Sequence, residues 1–428
     1  MAILKIFRTT FRSSLYGLFV RPSNNYAVLD GLRAVSILWV VLSHVIFLGP
    51  SGHLEGIELA SMYENIGLFY SFWLNGFYGV DCFFVLSGLL ISNIIFREID
   101  ETGTLNLKVF YIRRILRLSP ALIVVVLFVY LKKLPNFEFL WYNVFYINNF
   151  LALSDNVMTH TWSLSVEEQF YIAFSAFMFF FRKSRYILMS VMTLIVASFI
   201  IKFFIILYLW ESIDVQIYEI GDINSDDSTN YIELIYFKPY TRYGAFLFGV
   251  LAMYLYRYRY DWLRQNIATW VGKSVVYLAL IVIVGVAFSN LYRPQEQPSD
   301  LLLFVYHCFI GYLFSAALAT LMIALLMRSD DLSIIHRGLS HRTLYPIAQL
   351  AYSLYLTHPL VIGMATVPLV SLMSSSIWPG SPDSHVIWPL INLFVTLLIG
   401  ILVSACIYIF VEKPFMDLRK VILRDSHS

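Results

Sequence analysis

Charged residues are scarce in this sequence. They make up 14% of its 428 residues, whereas hydrophobic residues make up 59% and aromatic residues 17%. In a soluble globular domain about a quarter of the residues are charged. The scarcity therefore excludes such a domain and indicates that the lipid bilayer is the solvent of this chain. Many aromatic residues lie near the ends of apolar runs, as rings at membrane interfaces do.

An excess of charge of either sign is also absent. The formal net charge is +2, so we expect no nucleic-acid partner. The three cysteines, Cys82, Cys308 and Cys406, lie in apolar runs without paired spacing. This pattern excludes a disulfide framework and a zinc site, and we predict three small core residues and no metal. The first apolar run lacks a small-residue cleavage site, so we expect no cleaved signal peptide.

Long apolar runs dominate what is present. A membrane-spanning helix needs about 20 apolar residues, and the sequence predicts a single all-α domain, a polytopic integral membrane helical bundle of about ten transmembrane helices. The fourth run is short for a full span. The ten predicted spans cover residues 28–48, 68–96, 118–134, 169–181, 186–210, 240–256, 268–290, 301–327, 343–370 and 386–411.

The positive charges predict the orientation of these spans. If the N-terminus is cytoplasmic, the segments on its side of the membrane hold 22 of the 30 Lys and Arg residues, as the positive-inside rule requires. We therefore predict that both termini are cytoplasmic, in an integral plasma-membrane protein of a bacterial inner membrane. Residues 1–27 would form a basic N-terminal segment, 28–411 the transmembrane domain and 412–428 a tail. The acidic stretch Glu211–Glu233 would be a solvated outer loop or an acceptor-facing element.

Two polar residues interrupt the first span, "LDGLRAVSILWVVLSHV". Arg33 lies near its inner end, and His44 follows 11 residues later, about 16 Å further along the helix axis and thus in the outer half. A charged residue at the centre of a span costs about 2.5–3.5 kcal/mol on insertion scales. Arg33 alone could be a snorkelling anchor, and His44 alone could bond a neighbouring helix.

Other ionisable residues fall at a similar predicted depth. Asp81 lies in "GVDCFFVLSG", His160 in "HTWSLSVEEQFY" and His358 in "AYSLYLTHP". His160 is equally compatible with simple interfacial packing. Because several such residues converge with His44 on one depth, we predict a polar site in the outer half of the membrane.

Two adjacent carboxylates begin the fourth span. Glu168 follows Ser165 at the spacing of a helix capping box, which gives it a structural role. Glu167 shares a helical face with Tyr171 and is expected to orient an imidazole or a substrate hydroxyl.

Three arginines, Arg113, Arg114 and Arg117, precede the third span in "FYIRRILRLSP". Such a group is often only a positive-inside anchor. Spacings of three and four residues also place these side chains on one helical face, which is suited to clamping phosphates.

Taken in order, the motifs resemble the acyltransferase 3 family of polytopic membrane proteins over nearly the whole chain. They are "LDGLRAVSILWVVLSH", "GVDCFFVLSGLLIS", "FYIRRILRLSPA", "TWSLSVEEQFY", "AYSLYLTHPLV" and "VEKPF". The resemblance implies transfer of an acyl group, most often acetyl, from cytoplasmic acyl-CoA to hydroxyls of carbohydrates, often in cell-surface glycans. The implied partners are therefore acyl-CoA as the donor substrate, a carbohydrate acceptor and membrane lipid.

The resemblance also implies roles for particular residues. His44 and Glu167 would be catalytic, with His44 as general base or acyl carrier and Glu167 orienting its ring. Arg33 and the basic face of Arg113, Arg114 and Arg117 would hold the donor. The residues expected to support the substrate site are Asp81, Trp162, Ser163, Tyr171, Arg242 and His358. After Tyr171 the sequence "IAFSAF" departs from the family pattern.

Two alternatives remain open at this stage. Intramembrane charges also mark translocation paths, so a transporter or flippase of a glycan or lipid-linked intermediate competes, although paired broken helices in repeated halves would be more typical of one. Many members of the resembling family carry a further extracytoplasmic hydrolase-like domain, and this sequence stops after its last predicted span. We expect either that the transmembrane domain suffices or that a separate partner completes the reaction.

Overall fold

A computed structural model describes residues 2–22, 26–48, 68–181, 186–210, 232–289, 300–369, 371–372 and 384–424. This part of the chain is helical and contains no strand, as predicted. The α-helices are α1 (Ala2–Phe19), α2 (Ala27–Leu48), α3 (Leu68–Leu74), α4 (Tyr78–Thr102), α5 (Leu107–Lys132), α6 (Trp141–Val144), α7 (Trp162–Phe181), α8 (Ile187–Leu209), α9 (Pro239–Tyr258), α10 (Tyr260–Ile267), α11 (Trp270–Ala287), α12 (Asp300–Leu326), α13 (Ser333–Leu339), α14 (Leu344–Val361), α15 (Ser384–Ile407) and α16 (Lys413–Arg424).

Eight stretches of the described chain are long and apolar enough to cross a membrane, and each coincides with a predicted span. The predicted fourth and sixth spans form α7 and α9, which have 20 residues each and so are about 30 Å long. Both helices carry charged residues, and neither is among the eight. The polytopic helical architecture is confirmed, while the count of ten spans stays a prediction. The eight stretches are residues 27–46, 70–102, 107–132, 187–209, 270–287, 301–326, 344–369 and 389–418.

Helices α4 and α9 pack together so closely that their backbones touch. A Cβ atom added to Gly88 would lie 2.0 Å from the carbonyl oxygen of Phe246, and one added to Gly249 would lie 2.1 Å from that of Val85. Small residues allow this approach between membrane helices, where van der Waals packing supplies much of the association energy. The two glycines therefore bring together the helices that carry Asp81 and Arg242.

Replacing Gly88 with Ala is expected to destabilise the protein by about 1–3 kcal/mol or more, because the added methyl group forces α4 and α9 apart. Thermal unfolding in detergent measures the effect. Gly285 lies inside α11 with no described atom within 4 Å of an added Cβ, so Gly285→Ala is the matched control and should leave the unfolding temperature unchanged or raise it. Equal behaviour of the two variants would contradict the close packing.

The segment between α5 and α7 is irregular but held by buried amides. The side chain of Asn143 donates to Thr161 Oγ1 at 2.8 Å, and Asn148 donates to the same oxygen at 3.0 Å. The Ser165 hydroxyl donates to Asn148 Oδ1 at 2.5 Å. Non-helical backbone at membrane depth is tolerated where protein surrounds it. The predicted capping box is wrong, because α7 already begins at Trp162 and Ser165 lies inside it.

Other details differ from the expectations. Cys82 and Cys308 are buried, but Cys406 is exposed on α15 and is not a core residue. Helices α1 and α16 occupy the two terminal segments, and a π-helix, Tyr408–Glu412, joins α15 to α16. Of the acidic stretch Glu211–Glu233, residues 211–231 lie outside the described residues.

Candidate active site

Helix α2 carries Arg33 and His44 on one face, since 11 residues correspond to three turns and about 20°. Ile37 and Val40 occupy the same face between them and are fully buried. This stripe of α2 therefore connects two polar regions that lie about 16 Å apart along the axis.

The first region is a cavity of about 160 Å³, which we call the arginine cavity. It is lined by residues of α2, α4, α5, α7, α14, the π-helix Tyr408–Glu412 and α16. Its charged side chains are those of Arg33, Arg114, Arg117, Glu167 and Glu412. An inward-facing group of charges in a membrane domain marks a functional site unless its members neutralise each other.

Arg114 and Glu167 are largely neutralised. Arg114 Nη2 lies 3.3 Å from Glu168 Oε1 and 4.0 Å from Glu167 Oε1, and the guanidinium lies 3.4 Å from the centroid of the Tyr171 ring. The Ser87 hydroxyl donates to Glu167 Oε1 at 2.6 Å, and the Tyr171 hydroxyl donates to the same oxygen. Glu167 and Tyr171 were predicted to share a helical face, and their side chains are in fact joined by a direct hydrogen bond.

The structure separates Glu167 from the ring that it was expected to orient. Its described contacts are to Ser87, Tyr171 and Arg114, and none is to His44. Glu168 pairs with Arg114 instead of capping α7. Both carboxylates therefore belong to the arginine cavity and its wall, not to the surroundings of His44.

The predicted basic face is also divided. Arg114 is held by two carboxylates, Arg117 is exposed and lines the cavity, and Arg113 does not line it. Arg33 lines the cavity and has no hydrogen bond or ion pair with any described residue. Arg33 and Arg117 are therefore the guanidinium groups best placed to meet an anionic ligand.

The second region is a cluster of three imidazoles, His44, His160 and His358, which we call the histidine cluster. The ring centroids of His44 and His358 lie 4.7 Å apart, and those of His160 and His358 lie 5.5 Å apart. Within the described residues no set of three His, Cys, Asp or Glu side chains is arranged to hold a metal ion.

Backbone carbonyls set the tautomers in this cluster. His44 Nδ1 lies 2.9 Å from the oxygen of Val40, and His358 Nδ1 lies 2.8 Å from that of Tyr355. A carbonyl oxygen only accepts hydrogen bonds, so each Nδ1 carries the proton and each Nε2 keeps a lone pair. His358 is fully buried and its Nε2 has no described partner. Burial lowers the pKa of His160, before α7, to about 3, so this ring is neutral.

A tyrosine and a serine separate the two regions. The Tyr355 hydroxyl lies 2.6 Å from Ser163 Oγ and donates to the carbonyl of His160 at 2.6 Å. Tyr355 and Ser163 line the arginine cavity, and the Tyr355 ring centroid lies 5.6 Å from that of His358. The far wall of the arginine cavity is therefore in contact with the histidine cluster.

Asp81 and Arg242 form a separate group. Arg242 Nη2 lies 3.0 Å from Asp81 Oδ2, and its guanidinium is 4.8 Å from the ring centroid of Tyr236 and 5.5 Å from that of Trp162. Asp81 and Arg242, which were both expected to support the substrate site, thus pair with each other across α4 and α9. Trp162 precedes Ser163 in α7, and Ser163 lines the arginine cavity. The contact of Arg242 with Trp162 therefore links the ion pair to the helix that borders this cavity.

Sequence reasoning missed two buried charges. Lys202 on α8 is 8% exposed, with Nζ 5.4 Å from the centroid of the Tyr312 ring. Glu412 is 5% exposed in the wall of the arginine cavity. Lys202 is the lone charge of an otherwise apolar run, and Glu412 lies in the "VEKPF" motif, so both could have been noticed.

The fold and the site define a polytopic helical membrane protein with ionisable groups buried in its core. The particular class follows from comparison with known proteins, since the family model described as an acyltransferase domain matches residues 26–410. The chain belongs to this acyltransferase family, in agreement with the resemblance inferred from its motifs.

Curated relatives bear names of the same kind. The peptidoglycan O-acetyltransferase OatA of Listeria monocytogenes is 28% identical over 380 residues, which cover 82% of this chain and 51% of the relative. The O-acetyltransferase OatA of Staphylococcus aureus strain NCTC 8325 is 27% identical over 416 residues, 90% of this chain and 56% of the relative. The chain thus spans about half the length of these relatives. No solved structure matches it.

Proposed function

We propose that the protein is a plasma-membrane O-acetyltransferase that moves an acetyl group from cytoplasmic acyl-CoA to a carbohydrate hydroxyl on the outer side. Family membership and the names of the relatives support the reaction. The observation that carries the proposal is the contact between the arginine cavity and the histidine cluster, which Tyr355 of the cavity wall makes with His358. Both termini would then be cytoplasmic, which places the arginine cavity on the donor side.

The arginine cavity would take the donor. Coenzyme A carries several phosphates and a long, thin, uncharged arm, and guanidinium groups bind phosphates well. Arg33 makes no hydrogen bond or ion pair with a described residue and Arg117 is exposed, so both can meet these phosphates. The arm would then extend toward Tyr355 and Ser163, bringing the thioester to the histidine cluster.

His44 would act as general base. The carbonyl of Val40 holds the proton on Nδ1, so Nε2 is free to accept the proton of the acceptor hydroxyl. The hydroxyl oxygen attacks the thioester carbonyl, the C–S bond breaks and coenzyme A leaves as the thiolate, which takes up the proton from His44. The same Nε2 lone pair also permits an acyl-His44 intermediate.

The acceptor would be a cell-surface glycan. The relative from Listeria monocytogenes is named for peptidoglycan, a polymer of sugars that offers hydroxyl groups. His44 is only half-buried, so an acceptor hydroxyl can approach its ring.

Donor binding tests this function. Wild-type protein in detergent is expected to bind acetyl-CoA saturably in calorimetry, and Arg33→Gln should raise the Kd by roughly 10-fold or more, since hydrogen bonds to charged groups are strong. Arg97, exposed and ion-paired with Glu101 at 3.9 Å, provides the control: Arg97→Gln should leave the Kd unchanged.

Two results would contradict this assignment. A folded wild-type protein that does not bind acetyl-CoA would favour another donor or the transporter function. Unchanged binding by a folded Arg33→Gln variant would remove Arg33 from the donor site.

A further inference from the structure

A buried carboxylate, that of Glu412, lies in the wall of the arginine cavity. It ends the π-helix Tyr408–Glu412, and only 5% of the residue is exposed. Short π-helical segments are rare and frequently occur at functional sites. Tyr408 and Glu412 both line the cavity, so this turn presents a ring and a carboxylate to the same space.

Protein groups satisfy this carboxylate only in part. The hydroxyl of Ser353, fully buried on α14, donates to Glu412 Oε1. Within the described residues no other group hydrogen-bonds or pairs with Glu412. The adjacent Lys413 is already engaged, because its Nζ lies 2.7 Å and 2.6 Å from the two carboxylate oxygens of Asp417.

The remaining acceptor capacity limits what can bind beside Glu412. A buried carboxylate is costly unless hydrogen bonds compensate it, and one hydroxyl leaves most of its lone pairs unused. A phosphate offers mainly further acceptor oxygens to these lone pairs. A neutral group with an N–H or O–H is favoured instead, because it donates a hydrogen bond to them.

We propose that Glu412 recognises the acyl donor by accepting a hydrogen bond from an amide N–H or the hydroxyl of its pantetheine arm. The inference rests on the proposed function, since it takes acyl-CoA as the ligand of the arginine cavity. The cavity then has two parts, with Arg33 and Arg117 meeting the phosphates and Glu412 meeting the uncharged arm. Ser353 is a positioning residue that holds the carboxylate toward the cavity.

Calorimetry with two donors tests this assignment. Glu412→Gln keeps the side-chain size and replaces one acceptor oxygen with an NH2 donor, and it should raise the Kd of acetyl-CoA and of acetyl-phosphopantetheine alike, each by about 10-fold. Ser353→Ala should raise both Kd values by a smaller, equal factor. Lys413→Gln changes the neighbouring residue, which does not line the cavity, and should leave both unchanged. Thermal unfolding of each variant shows that it is folded.

The outcomes separate this inference from the proposed function. If wild-type protein binds acetyl-CoA and folded Glu412→Gln binds it equally well, the role of Glu412 is refuted and the proposed function stands. Weaker binding of acetyl-CoA alone would place Glu412 beside the nucleotide and also refute it. If Glu412→Gln does not fold, Ser353→Ala decides by the same comparison. Failure of the wild type to bind acetyl-CoA would instead refute the proposed function.

Discussion

Replacing His44 with Ala is expected to lower the rate of acetyl transfer by about 100-fold to 10,000-fold, the usual contribution of a general base. The loss follows from the geometry, because the Val40 carbonyl leaves Nε2 as the available lone pair of this ring. Donor binding should remain, since His44 does not line the arginine cavity. Transfer of labelled acetyl groups by protein in membrane vesicles measures the rate, and calorimetry measures the Kd of acetyl-CoA.

The matched control is another histidine. His341 is exposed, with Nδ1 2.8 Å from the Thr343 hydroxyl, and belongs to neither the arginine cavity nor the histidine cluster. His341→Ala should therefore transfer acetyl groups at the wild-type rate. Full activity of a folded His44→Ala variant would exclude His44 as the base. A parallel loss of donor binding would indicate that His44 shapes the donor site.

The second large effect concerns stability. Arg242→Gln is expected to destabilise the protein by about 3–5 kcal/mol, because it leaves the carboxylate of Asp81, whose side chain is 4% exposed, without its charged partner. The double variant Asp81→Asn with Arg242→Gln removes both charges and should recover most of the loss. Thermal unfolding in detergent compares the three proteins.

A more exposed ion pair between the same two helices, α9 and α4, provides the comparison. Arg257 lies 2.6 Å from Asp100, whose side chain is 38% exposed, so Arg257→Gln should cost at most about 1 kcal/mol. If the double variant were no more stable than Arg242→Gln, the cation's contacts with Trp162 and Tyr236, and not its charge, would account for its effect.

Much of the architecture could be predicted, because the length of an apolar run determines whether that run forms a membrane helix. A run of about 20 apolar residues must satisfy its own backbone hydrogen bonds in lipid, so it forms a helix regardless of its neighbours. Each of the ten predicted spans indeed coincides with a helix of at least 18 residues. The terminal helices α1 and α16 escaped prediction, because charged residues interrupt both segments and neither forms a long apolar run.

The sequence predicted which residues belong to the site better than which side chains contact one another. Arg33 and His44 share a helix, so their common face and separation follow from helix geometry alone. The partner of Glu167 could not be inferred in this way. The expected imidazole lies elsewhere, and the observed partners, Ser87 and Arg114, come from α4 and α5.

The helices, their apolar faces and the presence of charges that need a polar interior could all be read from local sequence, because these properties depend on neighbours within one helix. The pairing of Arg114 with Glu168 and of Asp81 with Arg242, and the place of Glu412 beside the cavity of Arg33, arise from helix packing. These partners are 54 and 161 residues apart in the two ion pairs. Which charges meet across such separations depends on how the helices pack, through close contacts such as that at Gly88, and a single helix carries no record of its neighbours.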